Sequence, residues 1–216
     1  MTQAVTAEHH EPLEDTSTGL SNRKLLMWAF LGSDVMFFGA FISTYLVYRG
    51  RSLNGPYPSE ILNIPITSVS TFVLLMSSLA MVLALHYVRE GEKNKGTLWI
   101  LGVVLLGSVF IGFQIVEFNE FVHEGLTPRT NIFGTTFFIL TGIHGAHVTI
   151  GVLWMAFLAY GSHKQTLRPE NALDLEIAGL YWHFVDIVWI VIFTVIYLIS
   201  ANDTPPPGAE TLHGHG

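Results

Sequence analysis

Five apolar runs of twenty or more residues recur along a chain of 216 residues, and nothing else in the sequence restricts its fold so strongly. About 20 apolar residues in an α-helix cross a hydrocarbon core of about 30 Å, and a helix satisfies every backbone N–H and C=O within its own segment. The runs predict spans over residues 24–48, 65–88, 97–122, 131–160 and 177–200. Half of the residues are hydrophobic and only 12% are charged, so a water-soluble fold is not expected. The predicted fold is all-α, an integral membrane bundle of five transmembrane helices occupying residues 23–200.

The flanking segments differ in character. Residues 1–22 form a polar tail containing Glu8, Glu11, Glu14 and Asp15. They lack a basic lead into a short apolar stretch, so they do not read as a cleavable signal peptide, and the first helix is expected to stay in the mature protein. Residues 201–216 contain Pro205, Pro206 and Pro207 and little apolar content, and disorder is expected there. The terminal histidines His9, His10, His213 and His215 are expected to bind nothing of consequence. The chain has no cysteine, which removes disulfides, thiolate metal sites and haem attachment through Cys-x-x-Cys-His. Its net charge of −7 gives no reason to expect nucleic acid as a partner.

Orientation follows from the ten Lys and Arg, because short cytoplasmic loops collect positive charge. Arg23, Lys24, Arg89, Lys93, Lys95, Lys164 and Arg168 fall on one side of the predicted spans; Arg49, Arg51 and Arg129 fall on the other. Seven against three places the N-terminus in the cytoplasm, and five crossings then place the C-terminus in the periplasm.

Asp34, Glu117 and Asp186 lie inside the spans together with His144, His147 and His183, whereas every Lys and Arg lies outside them or at their ends. A lone ionised carboxylate at the bilayer centre costs at least ~2.5–3.5 kcal/mol, and such residues usually face protein or water. Each acid must therefore be protonated, hydrogen-bonded to a neutral group, paired with histidine, or paired with a partner subunit. Asp34 sits near mid-span on a stripe with Phe38, Phe41 and Tyr45; Gly32, Gly39 and Ser43 occupy another stripe, where small residues permit close helix approach. Two roles stand open for Asp34: a neutral hydrogen-bonded tie between helices, or a proton-handling group. Gln114 and Glu117 share one face of the third span, Thr141, His144, His147 and Gly151 one face of the fourth, and His183 and Asp186 one face of the fifth, flanked by Trp182 and Trp189.

His144 and His147 could ligate a metal, and histidines within a bundle can hold haem. No close-spaced set here offers the three or four ligands that a metal needs, so interhelical hydrogen bonding is the more economical reading. The connections near 49–64, 89–96, 123–130 and 161–176 leave no room for a soluble catalytic domain. Neither inverted repeats nor paired Pro/Gly interruptions point to a stand-alone transporter.

The assembled motifs resemble subunit III of the haem-copper respiratory oxidases. Tyr181-Trp182-His183-Phe184-Val185-Asp186-Ile187-Val188-Trp189 is similar to the family's Trp-His-Phe-Val-Asp-x-x-Trp signature in its last helix. Thr141-Gly142-Ile143-His144-Gly145-Ala146-His147 resembles its Gly-x-His-Gly-x-His motif, and Gln114-Ile115-Val116-Glu117-Phe118 its Gln/Glu-x-x-Glu-aromatic element. Asp34 departs from the Glu usual at this position in the cytochrome c oxidase members, whereas some quinol-oxidase members carry Asp.

The resemblance is to the five-helix bacterial form, and its implications go beyond the residue pattern. It implies a non-catalytic accessory subunit in the bacterial inner membrane, bound directly to catalytic subunit I within a complex that includes subunit II. Haem and copper would reside in the partner subunits, with no cofactor in this chain, and phospholipids would be held between helix groups. Asp34, Glu117, His144, His147, His183 and Asp186 would form the polar interior that supports proton uptake and turnover; Trp182, Trp189, Gly32 and Gly39 would contact lipid or a neighbouring subunit. A subunit-III-like component of a nitric oxide reductase, a transporter and a haem-binding membrane cytochrome are the alternatives.

Overall fold

The computed structural model describes residues 21–52, 56–163 and 172–199. Most of the N-terminal tail, all of the C-terminal tail with the terminal histidines, and the inward-assigned Lys164 and Arg168 lie outside the described residues. The chain forms α1 (Asn22–Tyr48), a single turn α2 (Pro58–Ile61), α3 (Ile64–Arg89), α4 (Lys93–His123), α5 (Ile132–His163) and α6 (Ala172–Ile192), which continues as a π-helical segment Phe193–Ile199. Five of these helices are long and apolar enough to cross a membrane, as the five apolar runs require. The α4 and α6 helices begin several residues before the apolar runs do, because an α-helix can continue into the polar boundary where water and ion pairs satisfy its first turn.

Local signals set the ends. The α1 helix begins behind Ser21, whose Oγ accepts from the Lys24 backbone N–H, and α3 behind Asn63, whose Oδ1 accepts from the Ile66 N–H at 3.3 Å. The α3 and α4 helices both end in the same left-handed device. Gly91 at φ 78° and Gly125 at φ 87° allow Glu92 N–H to reach Tyr87 O at 2.9 Å and Leu126 N–H to reach Phe121 O at 2.8 Å. The last carbonyls are thereby satisfied and the chain is turned back for the next helix. A side chain at either glycine would oppose the positive φ.

The α6 helix is the hub, lying against α1, α3 and α5; α3 packs along α4, α4 along α5, and α1 against α5 and α6. Trp182 of α6, with 0% of its surface exposed, is the central knob. A Cβ added at Gly107 of α4 or at Gly151 of α5 would approach the Trp182 ring to 2.7 Å, so two glycines on two helices form the hole that accepts it. At the end of the bundle where α6 begins, Arg23 pairs with Asp174 and Lys24 with Glu176. Arg89 Nη2 also meets Glu176 Oε2 at 2.9 Å. Glu176 thus ties α1 and α3 to α6. The outer surface is apolar, with Leu26, Met36 and Phe157 among its most exposed side chains, as a hydrocarbon environment demands.

Candidate functional site

All three intramembrane acids are buried, and each has a different environment. Asp34, on the inward face of α1, meets α5: His147 Nε2 lies 3.3 Å from Asp34 Oδ2. His147 Nδ1 lies 2.8 Å from the Ile143 carbonyl, which can only accept, so Nδ1 carries a hydrogen. Nε2 then either offers its lone pair to a protonated Asp34 or, as imidazolium, offers a second N–H to the carboxylate. Asp34 Oδ2 makes no well-formed hydrogen bond, so the contact is an ion-pair approach with room to tighten. The Phe38 ring stands edge-on to His147 at 5.0 Å, and Tyr181 Oη donates to the His147 carbonyl at 3.0 Å, so α1, α5 and α6 converge on this pair.

His144, one turn earlier on α5, points elsewhere. Its Nε2 lies 3.2 Å from the Val185 carbonyl of α6 and is therefore a donor, while its ring stacks on Trp189 with centroids 4.9 Å apart. Trp189 Nε1 donates to Thr71 Oγ1 of α3 at 3.0 Å. Trp182 Nε1 makes the parallel bond to Ser77 Oγ at 3.0 Å. Below them Ser78 Oγ and His183 Nδ1 are 2.6 Å apart. Asp186 sits in this same α3–α6 seam at 3% exposure, and neither carboxyl oxygen has a hydrogen-bond partner among the described residues.

Glu117 forms the third centre. Thr67 Oγ1 of α3 lies 2.7 Å from its Oε1, and Tyr197 Oη of the π-helical segment donates to its Oε2 at 2.9 Å. Thr67 Oγ1 is also 3.0 Å from the Asn63 carbonyl. The hydroxyl can therefore donate to an ionised Glu117, or donate to Asn63 while accepting from a protonated one; the network closes in both states. Nearby, Gln114 Nε2 donates to the Thr141 carbonyl at 2.7 Å, linking α4 to α5 where Gly145 leaves space for the amide.

The expected polar residues thus form three separate centres rather than one cluster: Asp34 with His147, Glu117 with Thr67 and Tyr197, and Asp186 beside the Ser78–His183 pair. His144 and His147 direct their Nε2 atoms at different partners. Among the described residues no group of three or more His, Asp or Glu is placed to hold a metal ion. Trp182 and Trp189 require correction as lipid or subunit contacts: at 0% and 2% exposure they are interior residues, because each indole is directed at a hydroxyl of α3. Gly32 is exposed and Gly39 half-exposed on α1, and a Cβ at either would meet nothing within 4 Å, so this helix face is open.

Reading the sequence alone missed Thr67, Thr71, Ser77, Ser78 and Tyr197. A signal existed for the first four. They recur along α3 at helical spacing with Ser70 and Leu74, a hydroxyl stripe inside a very apolar run, and hydroxyls in such a run gather where helices exchange hydrogen bonds.

The comparisons with known proteins agree with this arrangement of motifs. The family described as Cytochrome c oxidase subunit III matches residues 16–201. Cytochrome c oxidase subunit 3 of Bacillus sp. (strain PS3) is 40% identical over 179 residues, covering 83% of this chain and 86% of the relative. Quinol oxidase subunit 3 of Bacillus subtilis (strain 168) is 38% identical over 198 residues, 90% of this chain and 97% of the relative. Cytochrome c oxidase subunit 3 of that same strain is 36% identical over 180 residues, 83% of this chain and 87% of the relative. Five membrane-length helices, three intramembrane acids with their histidines, and a match over nearly the whole chain lead to one conclusion: the chain belongs to the cytochrome c oxidase subunit III family.

Proposed function

We propose that this chain, as subunit III of a haem-copper terminal oxidase, docks on the catalytic subunit through the outer face of α1, with haem and copper held by its partners. The observation that carries this reading is the contrast within α1. Only 17% of its most apolar stretch is buried, against 44% in α5 and α6, yet its inner face delivers Asp34 to His147. Its outer face presents Gly32, Gly39 and exposed Val35 and Met36, a smooth apolar surface on which another helix can lie closely. The N-terminus is assigned to the cytoplasm of a bacterial inner membrane by the excess of basic residues at that end, and bound phospholipid is expected along the same face.

Within the bundle, the Glu117 hydrogen bonds and the Asp34–His147 contact hold helices in register, and Asp34 is the acid best placed to bear on proton uptake by the catalytic subunit. Purification of the complex in mild detergent tests the docking. Gly32→Leu and Gly39→Leu are expected to release this chain from a haem-bearing core while leaving its own thermal unfolding unchanged, since both added side chains project into open space. Retention of both variants at parental stoichiometry would remove α1 as the docking face. For the proton role, Asp34→Asn keeps shape and removes the ionisable acid; pumping and turnover equal to the parent across pH 6 to 9 would eliminate it.

A further inference from the structure

The α3 and α6 helices run antiparallel, and their contacts form a ladder. Trp189 Nε1 donates to Thr71 Oγ1 at 3.0 Å, His183 Nδ1 lies 2.6 Å from Ser78 Oγ, and Trp182 Nε1 donates to Ser77 Oγ at 3.0 Å. Further along, a Cβ added at Gly179 would stand 3.1 Å from Met81 Cε. Asp186 shares the inward face of α6 with Trp182 and Trp189, four residues before it and three after. It precedes Trp189 by three residues, and Leu74 follows Thr71 by three, so the acid faces α3 at the rung that Leu74 occupies. Leu74, at 1% exposure, has no polar side-chain atom to offer. Both Asp186 oxygens are buried, and neither has a hydrogen-bond partner among the described residues.

The rungs on either side present acceptors to it. A hydroxyl has one hydrogen and two lone pairs. Thr71 Oγ1 gives its hydrogen to the Thr67 carbonyl at 2.7 Å, and Ser77 Oγ gives its own to the Leu74 carbonyl at 2.5 Å. Each also accepts one indole N–H, which leaves one lone pair unused. Whatever lies between these oxygens and the carboxyl must therefore donate in two directions, which no anion can do. The Thr71 and Ser77 rungs are each about 4.5 Å from the Leu74 rung along the axis, at 1.5 Å per residue. A bridging water spans such a separation with two hydrogen bonds. We propose that Asp186 holds an ordered water molecule inside the α3–α6 seam, at the Leu74 rung. One of its hydrogens goes to an Asp186 oxygen and the other to a hydroxyl oxygen of α3. Buried waters occupy such polar places, where they relieve the cost of an unbonded buried group. The site ties Asp186 to α3 within the protein interior, goes beyond the docking role, and uses residues of this chain alone.

Radiolytic footprinting of the intact complex reads this directly, because short X-ray pulses turn a bound water into hydroxyl radicals that add oxygen to the side chains it touches. Leu74 is expected to take up oxygen although it is buried, whereas Ile100 of α4, at 0% exposure within the apolar core, is expected to take up none. Asp186→Leu, which removes the water's acceptor and fills its space, is expected to abolish labelling of Leu74. Asp186→Asn, whose amide still bonds to water, is expected to keep it. Replacing all monovalent metal ions by choline is expected to change nothing. A parent complex in which Leu74 is labelled no more than Ile100 would overturn the site, and so would labelling undiminished in Asp186→Leu. Labelling that appears only in choline would mean that a metal ion holds the place and would overturn the water.

Discussion

Glu117 and Asp186 are both carboxyls inside one helix bundle, and their surroundings are opposite. Glu117 has a hydroxyl at each oxygen, from Thr67 and Tyr197, and so bonds α4 to α3 and to the end of α6. Asp186 is more deeply buried and has neither oxygen bonded to any described residue. Leaving a buried polar group unsatisfied is costly, and a group kept in that condition within a membrane is a functional candidate. The same residue chemistry therefore serves two ends: Glu117 as a joint whose hydrogen bonds persist in either protonation state, Asp186 as a buried carboxyl that bonds to none of the described residues.

The strongest test removes the frame that both acids share. Trp182→Ala empties the hole between Gly107 and Gly151 and frees Ser77, and is expected to cost about 3–5 kcal/mol, the usual range for losing a buried large aromatic. Thermal unfolding of the purified protein should show it; an unchanged transition would mean that α6 is not the hub on which both sites depend. Next, Tyr197→Phe leaves one Glu117 oxygen bare and is expected to destabilise by about 0.6–1.7 kcal/mol, the span measured for interhelical hydrogen bonds in membranes. Asp186→Asn, which breaks no bond, should stay within about 0.5 kcal/mol. If the order of these two were reversed, the contrast between joint and unbonded acid would collapse.

The smallest effect belongs to a third carboxylate, Glu176, which has the cations that the interior acids lack. Arg89→Ala removes an ion pair whose Arg is half-exposed, so a loss of no more than about 0.5 kcal/mol is expected. Raising the ionic strength to about 1 M should erase it by screening, whereas the Tyr197→Phe effect should survive unchanged. A salt-insensitive Arg89→Ala deficit would instead place the Glu176 cluster among the buried contacts.

The division between legible and illegible features follows the range of the interactions. Five spans, the buried state of Asp34, Glu117, His144 and Asp186, and the family itself were readable, because the length of an apolar run and a local motif are properties of one segment. The Trp182 and Trp189 positions were misjudged because an aromatic flanking a polar residue in a membrane helix reads equally as an outward anchor or as an inward knob. What decides is the presence of Gly107 and Gly151 on other helices. Tyr197 escaped notice because the change from α-helical to π-helical winding after Ile192 leaves no mark in the residue pattern, yet it sets where the phenol points.

By itself the sequence determined that this chain crosses a membrane five times as helices and carries acids there without Lys or Arg to neutralise them, since lipid forces each segment to satisfy its own backbone. Only the tertiary structure decided which acid has which partner. Asp34 finds His147, 113 positions further along the chain, Glu117 finds hydroxyls on two helices, and Asp186 bonds to none of the described residues, because hydrogen bonds between helices depend on angles and distances of a few tenths of an ångström that packing alone sets.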